Sequence, residues 1–126
     1  MKRALILIVE DDPVIRELTK RQLGALGLEC MAVATGEEAV EREDEDIALI
    51  FMDLGLPGID GAQATLLIRE KALKQKRKRV PIVALTANSD KQKCFQSGMD
   101  DYLQKPALLN DIRGVIQKWL PSGGLS

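Results

Sequence analysis

Acidic side chains directly follow two separate apolar runs, and their types and positions could support chemistry. Glu10 and Asp11 come after the run Leu5 to Val9, and Asp53 comes after the run Ile47 to Met52. If three ionised carboxylates lie about 5 Å apart, each pair repels by about 3 kcal/mol at an effective dielectric near 20. A divalent cation would offset this repulsion, so the pattern predicts a metal site if the two segments meet in space.

The donor atoms indicate which metal such a site would hold. An all-oxygen site with open positions suits Mg²⁺, with Mn²⁺ as the alternative, because both ions retain water and accept phosphoryl oxygens. The sequence contains no histidine, which argues against a zinc centre. We therefore expect magnesium chemistry at this site.

Two more polar residues follow later apolar runs. Thr86 ends the run Val80 to Leu85, and Lys105 comes shortly after Tyr102 and Leu103. With the acidic charge neutralised, Asp53 can attack an activated phosphoryl donor while the Lys105 ammonium absorbs charge on the transferring oxygens. The Thr86 hydroxyl is suited to hold another of those oxygens.

The elements that must bring these residues together are predicted to be buried strands. Continuous aliphatic runs are typical of strands covered on both faces in a parallel sheet. The carboxyl ends of such strands form the ligand-binding edge of an open sheet, so residues distant in sequence converge there. The five strand candidates are Leu5 to Val9, Cys30 to Val33, Ile47 to Met52, Val80 to Leu85, and Tyr102 to Leu103.

Helices are predicted between the strands. Capping side chains mark their starts: Asp12 before Pro13, Thr35 with Glu38 in a capping box, Asp60 before Gly61 after the Pro57-Gly58 turn, and Asn88 or Ser89. The first helix should end near Gly24 or Gly27, and the second in the acidic run Glu41 to Asp46. Two buried helical faces are expected, formed by Ile15, Leu18 and Leu26, and by Leu108, Ile112, Val115, Ile116 and Trp119. Alternating strands and helices predict right-handed crossovers and helices on both faces of one parallel sheet.

Composition excludes several classes of function. The chain has 126 residues and a net charge of −1, which fits one domain without a global basic field for nucleic acid. No apolar run approaches the roughly 20 residues needed to cross a bilayer. Cys30 and Cys94 fit neither a disulfide framework nor a metal pair, so we expect a cytoplasmic location without membrane contact. We interpret Cys94 and Met99 as packing residues, and the basic stretch from Lys71 to Arg79 as a solvated helix end.

Four segments together resemble the signature motifs of response regulator receiver domains, over residues 4 to about 120. The segments are Leu7-Ile8-Val9-Glu10-Asp11-Asp12-Pro13, Phe51 to Gly61 around Asp53, Ala84-Leu85-Thr86-Ala87, and Asp101-Tyr102-Leu103-Gln104-Lys105-Pro106. The resemblance implies a flavodoxin-like (βα)5 three-layer α/β sandwich with a five-stranded parallel sheet of order 2-1-3-4-5. Residues 1–126 would then form a single domain, with residues 121–126 as a tail.

The resemblance also implies roles for individual residues. It makes Asp53 the phosphoacceptor and Lys105 a ligand of the phosphoryl group. Glu10, Asp11, Asp53 and the backbone carbonyl of Gly55 would bind the metal, and Ala87 is expected among the cofactor-binding residues. Thr86 and Tyr102 would form a switch pair that responds to phosphorylation. The Lys105-Pro106 peptide is expected to be cis, which only X–Pro bonds adopt at low energy.

The implied partner is a histidine kinase or a histidine phosphotransfer domain, with the receiver a monomer or a weak dimer that binds no nucleic acid directly. The chain could be a free-standing receiver or the receiver of a hybrid sensor histidine kinase, and segments 87–89 and 100–106 favour the second.

The residues argue against three other functions. An aspartyl-nucleophile phosphatase of the haloacid dehalogenase type needs a second acid where Gly55 stands, and a flavin binder needs a phosphate loop where Glu10 and Asp11 stand. A receiver-like module used only for protein interaction is opposed by the complete set of acids, threonine and lysine.

Overall fold

The structure is a computed structural model that describes residues 5–44, 46–56, 58–87 and 91–120. Three sequence predictions fall wholly or partly outside these residues: the fourth helix cap at Asn88 or Ser89, the Pro57 half of the Pro57-Gly58 turn, and the tail at 121–126.

Parallel strands form one sheet in the order β2-β1-β3-β4-β5, as the resemblance implied. Predicted boundaries shift by one or two residues in every strand but the first: β2 begins at Glu29, β3 extends through Asp53, and β5 extends by one residue at each end. Strand β4 spans Ile82–Thr86, so it begins two residues after Val80, which is nevertheless buried. The strands are β1 Leu5–Val9, β2 Glu29–Val33, β3 Ile47–Asp53, β4 Ile82–Thr86 and β5 Asp101–Gln104.

Helices cover both faces of this sheet, which confirms the three-layer α/β architecture. They are α1 Pro13–Ala25, α2 Gly36–Arg42, α3 Gly61–Lys74, α4 Lys91–Gln96 and α5 Leu109–Trp119. One core cluster packs beneath α2, α3 and α4 and includes Ala39, Ile68 and Cys94; the other packs beneath α1 and α5 and includes Leu23 and Ile116. The packing role predicted for Cys94 and Met99 is confirmed, since both are buried. Within the described residues, no helix is both long and apolar enough to cross a membrane.

Three predicted helix caps are present. Asp12 accepts hydrogen bonds from the Val14 and Ile15 amides at 2.8 and 3.3 Å. Thr35 accepts from the Glu38 amide at 3.1 Å, and Asp60 accepts from the Gln63 amide at 2.8 Å. These side chains satisfy backbone donors that a helix leaves unpaired at its start, so each local sequence signal sets the position of its helix.

The predicted apolar faces were wrong at two positions. Leu18 is 46% exposed, whereas Thr19 is buried, and its hydroxyl is satisfied there by donating to the Ile15 carbonyl at 2.9 Å. Leu23 is fully buried on the same side of α1. Leu108 is 64% exposed because it precedes the first turn of α5 rather than lying on its apolar stripe.

The basic stretch from Lys71 to Arg79 was predicted to be a solvated helix end, but several of its side chains make contacts within the fold. Lys71 donates to the carbonyls of Val40 and Glu43 at 2.7 and 2.6 Å. Arg77 forms a two-pronged ion pair with the buried Glu43 carboxylate at 2.6 and 2.7 Å. Arg79 pairs with Asp100 at 2.8 Å. Long side chains that are distant in sequence therefore fasten α2 and β5 to this segment, while Lys74, Lys76 and Lys78 are exposed.

Candidate functional site

Strand register brings the predicted site residues to one edge of the sheet. Val9 pairs with Met52 in the β1–β3 ladder, so the next residues, Glu10 and Asp53, are neighbours. Thr86 pairs with Gln104 in the β4–β5 ladder, and Lys105 follows. The predicted convergence of the acids, the threonine and the lysine at the strand ends is therefore present.

A glycine lets α3 begin close against the end of β3. A Cβ atom at Gly61 would lie only 2.3 Å from the Asp53 carbonyl oxygen, which no side chain could tolerate without displacing backbone. The first turn of α3 consequently packs directly on the residue that carries the central carboxylate. This close approach fixes the backbone of Asp53 between β4 and α3.

Glu10, Asp11 and Asp53 form an acidic cluster in which one oxygen from each carboxylate lies within 4.8 Å of the others. The Glu10 and Asp53 side chains are buried, while Asp11 is exposed at the mouth of the cluster. Closely spaced carboxylates with one solvent-facing member leave coordination positions open to water and to a substrate oxygen.

Lys105 is the cation that faces this cluster. Its Nζ lies 2.7 Å from Glu10 Oε1 and 3.0 Å from Asp53 Oδ1. The Lys105 amide donates to the Thr86 carbonyl at 2.8 Å, which ties the ends of β4 and β5 together. The Lys105-Pro106 peptide is cis, as expected.

Burial and mutual contact shift the pKa values of the two buried carboxyls, Glu10 and Asp53, in opposite directions. Burial raises the pKa of Glu10 to about 7, against the opposing hydrogen bond from Lys105. Burial also acts to raise the pKa of Asp53, but hydrogen bonds from Glu10, the Gly55 amide and Lys105 outweigh it and hold that pKa below its usual value. Burial lowers the pKa of Lys105, and its contacts with Glu10 and Asp53 raise it further than burial lowers it. Asp53 therefore ionises more readily than Glu10.

The cluster fits a hard dication. Glu10 Oε1 is a buried oxygen whose partner among the described residues is the Lys105 ammonium, at 2.7 Å. Lys105 contacts Glu10 and Asp53 but not Asp11, so negative charge remains at the mouth of the cluster when all three acids are ionised. An oxygen-ligated cation would offset that charge and bind the clustered carboxylate oxygens.

The cluster opens into a cleft of about 490 Å³. Gly55 lies on its wall and donates its amide to Asp53 Oδ1 at 2.9 Å. Ile15 and Leu54 line the cleft but were not predicted for the site, although Leu54 adjoins Asp53 in the motif and Ile15 lies in the first turn of α1. The lining residues are Glu10, Asp11, Asp12, Ile15, Asp53, Leu54, Gly55, Thr86, Ala87 and Lys105.

Tyr102 lies apart from this cleft. Its half-buried ring packs against the core cluster beneath α2, α3 and α4, and its residue pairs with Ala84 in the β4–β5 ladder. Asp12, which also lines the cleft, caps α1 as predicted. Of the residues selected from sequence, the cleft therefore gathers all except Tyr102.

Comparison with known proteins agrees with this geometry. The family model described as response regulator receiver domain matches residues 6–117. Sensor protein GacS of Pseudomonas syringae pv. syringae is 40% identical over 118 residues, which is 90% of this chain and 13% of that protein. Hybrid signal transduction histidine kinase F of Dictyostelium discoideum also matches, and this chain covers 11% of its length. The chain thus spans about a tenth of the length of these curated relatives.

Solved structures show the same fold. The receiver domain of sensor histidine kinase PA1611 from Pseudomonas aeruginosa, crystallised with magnesium in its active-site cleft, matches with TM-score 0.82 and 39% identity over 94% of this chain and 98% of that chain. A chain of the co-crystal structure of the Saccharomyces cerevisiae histidine phosphotransfer signaling protein Ypd1 and the receiver domain of Ssk1 matches with TM-score 0.84 and 35% identity, over 94% of this chain and 89% of that chain.

Proposed function

The chain belongs to the response regulator receiver family and is a receiver domain of two-component phosphorelay signalling, and from that premise we propose that Asp53 is its phosphoacceptor. The observation that carries this assignment is the placement of the ionised Asp53 carboxylate against Glu10 and Lys105 at the strand ends. Phosphoryl transfer needs a nucleophile with positive charge nearby. The Asp53 carboxylate would be the nucleophile, and Lys105 supplies the positive charge at 3.0 Å.

The transfer requires an approach in line with the bond that breaks. An Asp53 oxygen attacks phosphorus, the bond from phosphorus to the donor imidazole nitrogen breaks, and its electron pair returns to that nitrogen. The product is an acyl phosphate on Asp53 and a histidine restored on the donor. Lys105 moves from the carboxylate to the phosphoryl oxygens, and Thr86 and Ala87 border the same space.

Glu10, Asp11, Asp53 and the backbone carbonyl of Gly55 would hold Mg²⁺, with Mn²⁺ as an alternative ion. When bound, the ion supplies positive charge that offsets the acidic cluster and the incoming phosphoryl group. Support comes from the spacing of the three carboxylates and from the burial of the Glu10 and Asp53 oxygens among them. The magnesium in the receiver of PA1611 supports the same ion here.

The proposed donor is a phosphohistidine on a histidine kinase or on a histidine phosphotransfer domain, and the parent protein is a hybrid sensor histidine kinase acting in the cytoplasm. The receiver of Ssk1, which crystallised with a histidine phosphotransfer protein, supports this donor, and relatives named hybrid histidine kinases support this parent protein. The free thiols of Cys30 and Cys94 fit a reducing compartment. Thr86 and Tyr102 would report phosphorylation to the surface.

Intact mass measurement after incubation with acetyl phosphate and MgCl₂ tests the assignment. We expect one added phosphoryl group on the wild type and none on Asp53→Asn. Asp60→Asn is the matched control, because it also removes one carboxylate while asparagine remains a good helix cap for α3. Labelling of Asp53→Asn at the wild-type rate would show that another residue is the nucleophile. Labelling of the wild type in excess chelator would contradict the proposed requirement for a metal ion. A chain that no donor phosphorylates would instead be a receiver-like interaction module.

A further inference from the structure

Arg16 on α1 reaches back to the two acids that end β1. Its Nη1 donates to the Glu10 carbonyl oxygen at 3.0 Å and approaches the Asp11 carbonyl oxygen at 3.4 Å. The side chain is half-buried, and its contacts are with the backbone of both acids. Neither the acidic cluster nor the proposed chemistry accounts for this contact.

The contact falls where the chain leaves the sheet. The Glu10 amide still donates to Val33 in β2 at 3.1 Å, but beyond it the backbone turns away toward α1. Carbonyl groups that leave a ladder need other donors, and the orientation of a short turn depends on them. Inside this turn, the Asp12 amide donates to Glu10 Oε2 at 3.1 Å, so the backbone orientation and the Glu10 carboxylate are linked.

We propose that Arg16 is a positioning residue that holds the Glu10-Asp11 turn in the orientation that binds Mg²⁺. The inference rests on the metal site of the proposed function. Groups that orient metal ligands typically change metal affinity by about 10- to 100-fold when removed. Arg16 acts here on the backbone of two proposed ligands through one guanidinium.

The charge of Arg16 and its contacts with the turn should have opposite effects on Mg²⁺ affinity. A guanidinium beside the acidic cluster repels an incoming cation, so removing its charge alone would strengthen Mg²⁺ binding. Releasing the Glu10-Asp11 turn would weaken binding. The sign of the change therefore separates a positioning residue from a cation that merely sits close to the site.

The experiment is calorimetric titration of the unphosphorylated protein with MgCl₂. We expect the dissociation constant of Arg16→Gln to rise about tenfold over the wild type, and that of Arg16→Lys, which keeps the charge and one donor group, to rise less. Arg21→Gln is the matched control on the same helix, because Arg21 is an exposed residue that pairs with Glu17 at 3.6 Å. Its dissociation constant should equal that of the wild type or fall slightly.

A second measurement excludes general loss of structure. At saturating Mg²⁺, Arg16→Gln should be labelled by acetyl phosphate within about twofold of the wild-type rate, while the Mg²⁺ concentration for half-maximal labelling rises with the dissociation constant. If the thermal unfolding curve shows that Arg16→Gln does not fold, the Mg²⁺ dissociation constant of Arg16→Lys tests the inference instead.

Equal or tighter Mg²⁺ binding by Arg16→Gln, or by Arg16→Lys if only that variant folds, would overturn the inference and leave the proposed function intact. A wild-type protein that does not bind Mg²⁺ would overturn both.

Discussion

Lys105 contacts two buried carboxylates at once, and a phosphoryl group on Asp53 would compete for the same ammonium. Its backbone amide is bonded to Thr86, so a movement of the Lys105 side chain takes place beside the residue proposed to sense the phosphoryl group. Thr86 is buried and lines the cleft. At the scale of single residues, the phosphoryl signal would thus start as an exchange of partners among Lys105, Asp53 and Thr86.

Thr86→Ala should uncouple phosphorylation from the structural response. The variant keeps Asp53 and the acidic cluster, so it should still be phosphorylated. It lacks the hydroxyl that would bind a phosphoryl oxygen, so amide chemical shifts in residues 91–112 should respond less to beryllofluoride than in the wild type. Nuclear magnetic resonance spectra with and without beryllofluoride measure this difference.

Thr86→Ser is the matched control, because serine retains the hydroxyl and should retain most of the response. If the wild type itself shows no shift changes in residues 91–112, the switch assigned to Thr86 and Tyr102 is absent. The domain would then pass its phosphoryl group on without reporting it.

At the scale of elements, a polar contact fastens the end of α5 to the start of β5. Asp101 Oδ2 accepts a hydrogen bond from the Trp119 indole at 2.9 Å and lies 3.3 Å from Lys118 Nζ. Its Oδ1 accepts from the Tyr102 amide at 2.9 Å. Burial acts to raise the pKa of Asp101, but the hydrogen bonds from Trp119 and Tyr102, with Lys118, outweigh burial and hold it below its usual value.

Asp101→Ala should destabilise the domain by about 1–2 kcal/mol, because it leaves a half-buried indole donor without its acceptor. Urea unfolding measures the change in free energy. Trp119 is the only tryptophan, so its fluorescence should also shift to longer wavelength as the indole meets water. Lys118→Met is the control. That side chain is 63% exposed, so its ion pair should contribute less than about 1 kcal/mol, and an equal loss in both variants would contradict the role of the hydrogen bond.

The same carboxyl predicts a pH dependence. Because the folded-state pKa of Asp101 is lowered, its ionised form adds stability at pH values above its ordinary pKa of 3.8. That contribution is lost as the pH falls through the lower, folded-state pKa. The stability difference between wild type and Asp101→Asn should therefore shrink on acidification below 3.8 and stay constant above about pH 5.

At the scale of the whole molecule, an apolar surface adjoins the acidic cleft. A cavity of about 330 Å³ between α1 and the segment after β5 shares Ile15, Ala87 and Lys105 with the cleft. Leu18 lines this cavity at 46% exposure, and Val14, one turn earlier in α1, is 76% exposed. Because this surface borders the cleft, we expect a protein that brings a phosphohistidine to Asp53 to contact it, whereas acetyl phosphate need not.

Val14→Glu should therefore separate protein donors from small donors. An acid in the first turn of a helix is tolerated by the helix dipole, so the fold should be unaffected. We expect transfer from a phosphorylated histidine phosphotransfer protein that labels the wild type to slow about tenfold, as for a lost interface contact of about 1.4 kcal/mol. Labelling by acetyl phosphate should be unchanged, and stopped-time assays with each donor give the two rates.

Leu73→Glu is the control, since Leu73 on α3 is equally exposed, at 77%, but lies away from the residues that line the cleft. Slowing of protein transfer to the same degree in both variants would show a general effect of charge. No slowing in Val14→Glu would place the donor on another surface.

The sequence by itself determined that strands and helices alternate and that Glu10, Asp53, Thr86 and Lys105 meet at one edge of the sheet. Each of these residues follows an apolar run, and parallel strands present their carboxyl ends at one edge. The strand order came from the family resemblance. Local signals also determined helix starts, since the Asp12, Thr35 and Asp60 caps act within three residues of themselves. The metal ligands and the switch pair assigned from the family resemblance stay predictions.

Only the tertiary structure decided which long side chains reach across the fold. Arg77 meets Glu43 at a separation of 34 residues, and Lys71 bonds Val40 at a separation of 31, although the basic stretch was expected to be solvated. Residue type cannot reveal such pairs, because a flexible cationic side chain has the same sequence pattern whether water or a buried carboxylate lies at its end. Arg16 is only five and six residues from the Asp11 and Glu10 carbonyls that it contacts, yet the sequence does not reveal these contacts either, because they depend on where α1 points once it has packed on the sheet.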